Sequence, residues 1–316
     1  MRSVRSLAAV AVVAALAVTA CGSSGSSGGG SGSNAAKPIK LGGPPECPTR
    51  PYCEIGLKNT YSIKIASFKT LDSGGPLTLA AIKNGTVDMG LMFTSDPTVD
   101  AQGLVFLSDD KHLQNSDNVV PIIDTKFNKP PATDALNKVQ AALSQEALVG
   151  MNKAVQLQHV PAGTVASGFL AAVHLDKTAL CGSATGSGKV TVGAFNFAES
   201  ALLANVYAEA LKTCGYSTTV KQLGAREVVY PALKKGDLDL VPEYAATLTT
   251  FLKGTASTDI STTLTALKGA LPSNLHALVA AEANDQNGFA VTKTFATAHN
   301  LTTLSDLGKY SQGTSS

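Results

Sequence analysis

The sequence has no tryptophan, only 5% aromatic residues and no lysine/arginine run longer than the pair Lys234–Lys235. Without a basic run, nucleic acid is not an expected partner. The formal net charge is +2, with Arg2 and Arg5 among the first six residues, and the rest of the chain is balanced. The five histidines, His112, His159, His174, His276 and His299, are scattered, with no H-x-x-x-H or H-x-H pair. No metal centre or cofactor is therefore expected. No G-x-S-x-G elbow occurs. The stretch GSATGSGKV (182–190) imitates a phosphate loop but fails on spacing. Ser183 stands where the first glycine belongs, Val190 stands where the Mg²⁺-binding Ser/Thr belongs, and the stretch precedes a strand instead of following one. What remains is an ordinary globular composition, 44% hydrophobic and 15% charged over 316 residues, long enough for two lobes.

The N-terminus carries a targeting pattern. MRSVRS is a positive opening, and Leu7–Ala20 is an apolar run of 14 residues, short for a membrane span. It ends in VTAC, which resembles a bacterial lipobox. Residues 1–20 are then a lipoprotein signal peptide, with Cys21 the lipidated residue. Residues 21–37, rich in Gly and Ser, suit a tether that holds a domain off a membrane. No second apolar span follows, so the rest is expected to be soluble and extracytoplasmic. Four further cysteines, Cys47, Cys53, Cys181 and Cys214, suggest two disulfides in an exported chain. Three pairings are open. Cys47–Cys53 with Cys181–Cys214 is favoured, the first as a tight loop and the second as a tie across one helix.

The pattern of elements is α/β. YSIKIASF, TVDMGLMF and GLVFL read as strands, and GPLTLAAIKNG as a helix stopped by Gly85. Residues 133–172 read as helical with Thr133 as N-cap, and 176–189 as a Gly-rich linker. A strand at 190–194 then leads into a helix at about 197–213. Asn196 and Glu199 form a capping-box pattern there, and Gly215 sits where the helix should end. STTVKQLG reads as a strand, and REVVYPALKKGDLDLVPEY as helix, turn and strand. Helices near 245–253 and 260–269 follow, then a strand, a helix and a capped helix start at Ser305. NGTVDMGLMF (84–93) and KGDLDLVPEY (235–244) share a form, helix–turn–strand with Asp in the same place, which suggests two similar lobes.

From Lys189 onward the chain resembles the substrate-binding proteins of osmoprotectant ABC importers, the glycine betaine/carnitine/choline type. VGAFNFAES, YPALKKGDLDLVPEYAATL and AEANDQNGFAVTKTFATAHNLTTLSDLGKY carry the likeness. Three stretches near the front look like the part of the family pattern that would otherwise follow Tyr310: IKLGGPPECPTRPYCEIGLKNTYSIKI, LAAIKNGTVDMGLMFTSD and LVFLSDDKHLQNSDNVVPII. The helices at 133–172 look like its end. The resemblance thus covers nearly all of 38–312 in rotated order. It implies a two-lobe type II periplasmic-binding-protein fold, circularly permuted, with lobe II at 38–103 and 289–316 and lobe I at 104–288. Crossovers are expected near 103–107 and 284–290.

The resemblance also implies a ligand held between closing lobes by an aromatic cage. Tyr244 matches a cage tyrosine, Thr247 and Asn284 match polar contacts, Arg50 matches a carboxylate-binding arginine, and Ser200 occupies a polar position at a helix mouth. Three positions depart from the family pattern. Phe93, Asn287 and Asp117 stand where tyrosines are expected, so two rings are missing. At about 0.5–2 kcal/mol per cation–π contact, that would weaken a betaine site by roughly 1–4 kcal/mol. Asp117 could pair a cationic head group while Arg50 meets a carboxylate, which favours a zwitterion with N–H donors.

The expected function is that of a non-catalytic, lipid-anchored, monomeric receptor. It captures a small polar or zwitterionic solute and delivers it to ABC permease and ATPase subunits. The alternative is a surface lipoprotein that senses or scavenges a ligand without transport. An enzyme would need a nucleophile–base pair or a cofactor anchor in the cleft, and the residues named above include none.

Overall fold

The computed structural model describes residues 35–314. The signal segment, Cys21 and most of the tether lie outside the described residues. Lobe II opens with β1 (Ile39–Gly43), α1 (Glu54–Tyr61), β2 (Ile65–Thr70), α2 (Pro76–Lys83), β3 (Met89–Phe93), a short α3 (Thr98–Ala101) and β4 (Leu104–Leu107). The chain then crosses and builds lobe I. This lobe comprises β5 (Val119–Asp124), α4 (Ala132–Ala142), α5 (Gln145–Gln156), α6 (Ala162–Ala172), α7 (Lys177–Cys181), β6 (Lys189–Phe195), α8 (Ala198–Thr213), β7 (Ser217–Gly224), α9 (Arg226–Lys235), β8 (Leu240–Tyr244), α10 (Ala245–Phe251), α11 (Ile260–Ala270) and β9 (Leu275–Ala277). It returns to lobe II with β10 (Asn287–Thr292), α12 (Lys293–Ala298) and α13 (Leu304–Gln312).

The two sheets repeat one plan. Lobe II has the order β2-β1-β3-β10-β4 and lobe I the order β7-β6-β8-β5-β9. In each, the first three strands run parallel and the fourth runs antiparallel to both neighbours. The fourth strand is also the one that enters from the other lobe. The paired aspartates seen in the sequence do the same job twice. Asp88 accepts from the Lys40 N–H at 2.8 Å, and Asp239 accepts from the Thr191 N–H at 2.7 Å. Each carboxylate, placed just before the third strand of its sheet, ties it to the second, β3 to β1 and β8 to β6.

Alternation along the strands covers both faces of the lobe II sheet. Met89, Leu91, Phe289 and Val291 pack with Leu57, Leu304 and Leu307, while Met92 and Ala290 face Ile82 and Val87 on the other side. In lobe I, α8 buries the stripe Leu202, Leu203, Val206, Tyr207, Ala210 and Leu211 against the sheet. Gly215 follows that helix at φ +100°, a conformation that favours glycine. Cys47 bonds Cys53 with Cα atoms 5.2 Å apart, and Cys181 bonds Cys214 at 5.7 Å.

Several expectations change. The strand Leu104–Leu107 pairs with β10, so it belongs to lobe II; a boundary at 103/104 would cut through that sheet. The first crossing therefore lies between Ser108 and Val119, and the lobe II return begins at Asn287. Residues 133–172 are three helices, and the first starts at Ala132 behind Pro131, with Thr133 buried inside it. A proline fits there because a first-turn N–H has no intrahelical partner anyway. The 176–189 linker contains α7, capped by Asp176 and held down by buried Leu180 and the Cys181 bridge. The last helix starts at Leu304, with its capping box formed by Thr303 and Asp306. The Asn196/Glu199 capping box does not form: Phe197 is the N-cap of α8, and Glu199 has other partners.

Candidate ligand-binding site

The two crossings run side by side. The Val119 N–H donates to Ala283 O at 2.9 Å, the Asp285 N–H to Asp117 O at 3.2 Å, and the Thr94 N–H to Gln286 O at 2.9 Å. Beside these bonds lies a cleft of about 560 Å³ with walls from both lobes. That falls within the range of small-molecule sites, about 300–1,000 Å³. Of the residues singled out in the sequence, Tyr244, Thr247, Phe93, Arg50, Asp117 and Asn287 line it. Two do not. The Ser200 hydroxyl is fully buried and accepts from the Phe195 N–H at 2.8 Å, which holds the strand-to-helix turn. The Asn284 side chain is engaged in the hinge, where its Oδ1 accepts from the Thr94 hydroxyl at 3.3 Å.

The residue next to it, Asp285, faces the cleft instead. Its Oδ1 accepts from the Ser95 hydroxyl at 2.8 Å. Burial, with Glu199 nearby, pushes the Asp285 carboxyl from its ordinary 3.8 to about 8. The sign of the stability effect follows. Between about pH 4 and pH 8 the native state holds a proton that the unfolded chain has released, so stability falls as pH rises through that window. Asp285→Asn keeps the acceptor for Ser95 and removes the penalty. It should raise the melting temperature by several degrees at pH 8 and by little near pH 4. An equal gain at both pH values in a thermal scan would contradict this assignment.

Asp117 is held by lobe I. Its carboxylate accepts from the Thr247 N–H at 2.8 Å and from the Thr247 hydroxyl. Thr247 lies in the first turn of α10, a helix whose own N-cap, Tyr244, supplies no side-chain bond. Asp117 therefore serves as a remote cap while presenting its carboxyl to the cleft. Thr247 orients Asp117, so its hydroxyl is already bonded within the protein. Burial raises the Asp117 carboxyl above its ordinary range, against the pull of those bonds.

The ring wall differs from the expectation as well. Phe197 and Tyr52 also line the cleft, beside Asp117 and Asn287, where rings were expected. Tyr52, Phe93 and Phe197 are 43%, 37% and 42% exposed, among the most open large apolar side chains described. Phe197 lies 6.2 Å from Tyr244, centroid to centroid. Behind Tyr244 is a buried polar chain. The Tyr244 hydroxyl donates to Glu199 Oε1 at 2.5 Å, and Asn152 Nδ2 donates to Glu199 Oε2 at 2.5 Å and to Ser95 O at 3.1 Å. Burial and Glu199 hold the Tyr244 phenol well above its ordinary range, so it remains a donor.

Two arginines reach the cleft, and they differ. Arg226 is bound to Glu243 through Nε at 3.1 Å and Nη2 at 2.8 Å and stacks over Phe195 at 5.1 Å. Arg50 is mostly exposed, with only a loose 3.9 Å contact to Glu46. It is the guanidinium free to meet a ligand. Asp285 had a signal in the sequence, since it stands inside the A-N-D stretch. Tyr52 and Phe197 lie two residues from Arg50 and three from Ser200. Arg226 carried no signal, because it reaches the site only through the pairing of β6, β7 and β8.

The family model described as the substrate-binding domain of ABC-type glycine betaine transport systems matches residues 31–172 and 188–316. The chain belongs to this family. It is a family of solute-binding proteins, not of enzymes, and the two sheets are those of a two-lobe type II periplasmic-binding-protein fold. No curated protein matches the chain. Among solved structures, it is similar to substrate-binding domain 2 of GlnP from Lactococcus lactis in the open conformation, with 12% identity, 88% of this chain and 90% of that one covered, and TM-score 0.40. It is also similar to the probable amino-acid ABC transporter extracellular-binding protein ytmK of Bacillus subtilis, at 10% identity, 88% and 91% coverage and TM-score 0.42. For the unliganded, open L-cystine solute receptor of Neisseria gonorrhoeae the values are 8%, 87%, 86% and 0.42. No described helix of this solute-binding domain is long and apolar enough to cross a membrane.

Proposed function

We propose that the protein is an extracytoplasmic, lipid-anchored receptor that captures a small cationic or zwitterionic solute, glycine betaine- or choline-like or a related amine, and hands it to an ABC permease. One observation carries this reading: three half-open rings and Tyr244 surround a cleft that also holds two carboxylates and one uncommitted guanidinium. Rings and carboxylates suit an ammonium group, and Arg50 suits a carboxylate. Asp285 is the stronger candidate for the ammonium partner, since Asp117 also caps a helix; an ammonium beside Asp285 would favour the ionised form that burial disfavours in the free cleft. Closure of the lobes would desolvate the rings.

Anchoring at Cys21 rests on the VTAC pattern, and a Cys21→Ser chain should then fail to take up labelled palmitate. The rotated order has two supports. The family match breaks at 173–187, and the Lys37 N–H donates to Ser311 O at 3.1 Å, so the two ends of the described chain lie together.

The test is a thermal-shift and calorimetric panel of quaternary ammonium compounds, amino acids, polyamines and neutral isosteres. A ligand at 100 times its Kd stabilises by about 2.7 kcal/mol, which is roughly 5–10 °C for a domain of this size. A shift with cationic or zwitterionic solutes, absent for neutral isosteres, is expected. Shifts confined to neutral or anionic solutes would overturn the reading.

A further inference from the structure

The cleft has a second chamber. A pocket of about 160 Å³ opens beside it, and Arg50, Tyr52, Phe93 and Asn287 line both spaces. Its other walls include Leu91 and the bridged Cys47 and Cys53, all nearly fully buried, together with exposed Glu46 and Ser73. The bridge brackets Arg50 in sequence, so one short covalent loop carries the free guanidinium and forms the pocket wall. The volume matches about five water-sized groups at about 30 Å³ each. Its buried lining residues, Pro44, Cys47, Cys53 and Leu91, are apolar, while polar Glu46, Arg50 and Ser73 are exposed.

Glycine betaine has nothing to put there, because its α-carbon bears no branch. We infer that the side pocket is a side-chain subsite: the protein selects a zwitterion that carries an apolar branch, of the size of a leucine side chain, over glycine betaine. The branch enters between Leu91 and the disulfide, the carboxylate meets Arg50 at the boundary of the two chambers, and the ammonium lies among Tyr244, Phe197 and Asp285. The inference rests on the functional reading above and adds the third arm of the ligand. Burying a branch of that size in a pocket lined this way favours binding by at least tenfold.

Calorimetry on the purified chain tests it with three probes: glycine betaine, N,N,N-trimethyl-leucine and leucine. At least one of the branched probes should bind ten or more times tighter than glycine betaine. Ser73→Phe, a change at an exposed rim position, puts a ring across the pocket mouth. It should bring the branched probe down to the affinity of glycine betaine while leaving glycine betaine within twofold. Equal binding of branched and unbranched probes, or an equal loss of both in Ser73→Phe, overturns the subsite and leaves the amine-receptor reading standing. Failure of all three to bind, when other amines in the wider panel do bind, also overturns the subsite alone. Failure of every amine overturns both.

Discussion

Arg226→Met should lower the melting temperature by roughly 10 °C at pH 8, and by less at pH 5. The guanidinium is 17% exposed and its partner Glu243 only 2%. Methionine puts an apolar chain where the guanidinium now stacks on Phe195 but leaves the carboxylate with only the Tyr244 N–H at 3.2 Å. Removing one member of a buried pair costs about 3–5 kcal/mol, and a domain of this size moves about 2–4 °C per kcal/mol. Burial already raises the Glu243 carboxyl above its ordinary 4.5, against the pull of Arg226. Without Arg226 the group rises further. The folded variant then holds a proton that the unfolded chain gives up above about 4.5, so its stability falls as pH rises through that window. A deficit that is the same at pH 5 and pH 8 would show that the Glu243 charge is not the cause. The double change Arg226→Met with Glu243→Leu should recover most of the loss, since apolar replacement of a buried pair is often close to neutral.

Glu199→Gln should weaken binding of a quaternary ammonium probe by about twentyfold and change a neutral isostere by less than threefold. Glu199 accepts from two donors, Tyr244 and Asn152, an arrangement that suits the ionised form. As a carboxylate it sets a negative charge behind the Tyr244 ring, which lines the cleft. At about 9 Å from an ammonium on the ring's open face, and at an effective dielectric constant of about 20, that charge contributes about 1.8 kcal/mol. Glutamine still accepts from the Tyr244 hydroxyl, so the ring stays in place. Its amide would confront the Asn152 amide. Asn152 can answer by turning its Oδ1, which is buried and has no partner. The price is the bond to Ser95, so a modest fall in melting temperature should accompany the loss. Equal losses for charged and neutral probes in calorimetry would mean that Glu199 acts only by packing.

How much of the site was legible depended on whether a residue announced its role locally. Arg50 and Tyr244 stand in motifs whose neighbours are also in the site, and the structure puts both on the cleft wall. Ser200 and Asn284 stand in equally good motifs. They were misread because their side chains find a backbone or hinge partner a few ångströms away, and adjacency in sequence does not say which of two neighbouring side chains turns inward. Asp285 rather than Asn284 faces the cleft for that reason. Rings follow the same rule: Phe197 reaches Tyr244 through the packing of lobe I, and Tyr52 reaches the same cleft from lobe II.

By itself the sequence determined the local matters. Periodicity and β-branching set where most strands and helices lie, glycine at positive φ set where α8 and α9 stop, and the even cysteine count pointed to two disulfides while leaving their pairing open. Recurrent motifs set the family. Tertiary structure alone decided that β4 belongs to lobe II, that Glu199 serves Tyr244 instead of capping its own helix, and that Arg50 is free while Arg226 is not. Each of these is a choice of partner between groups far apart in the chain. Local propensity acts over a turn or two of backbone, whereas the pairing of a buried charge is settled by which distant partner is brought within about 3 Å of it.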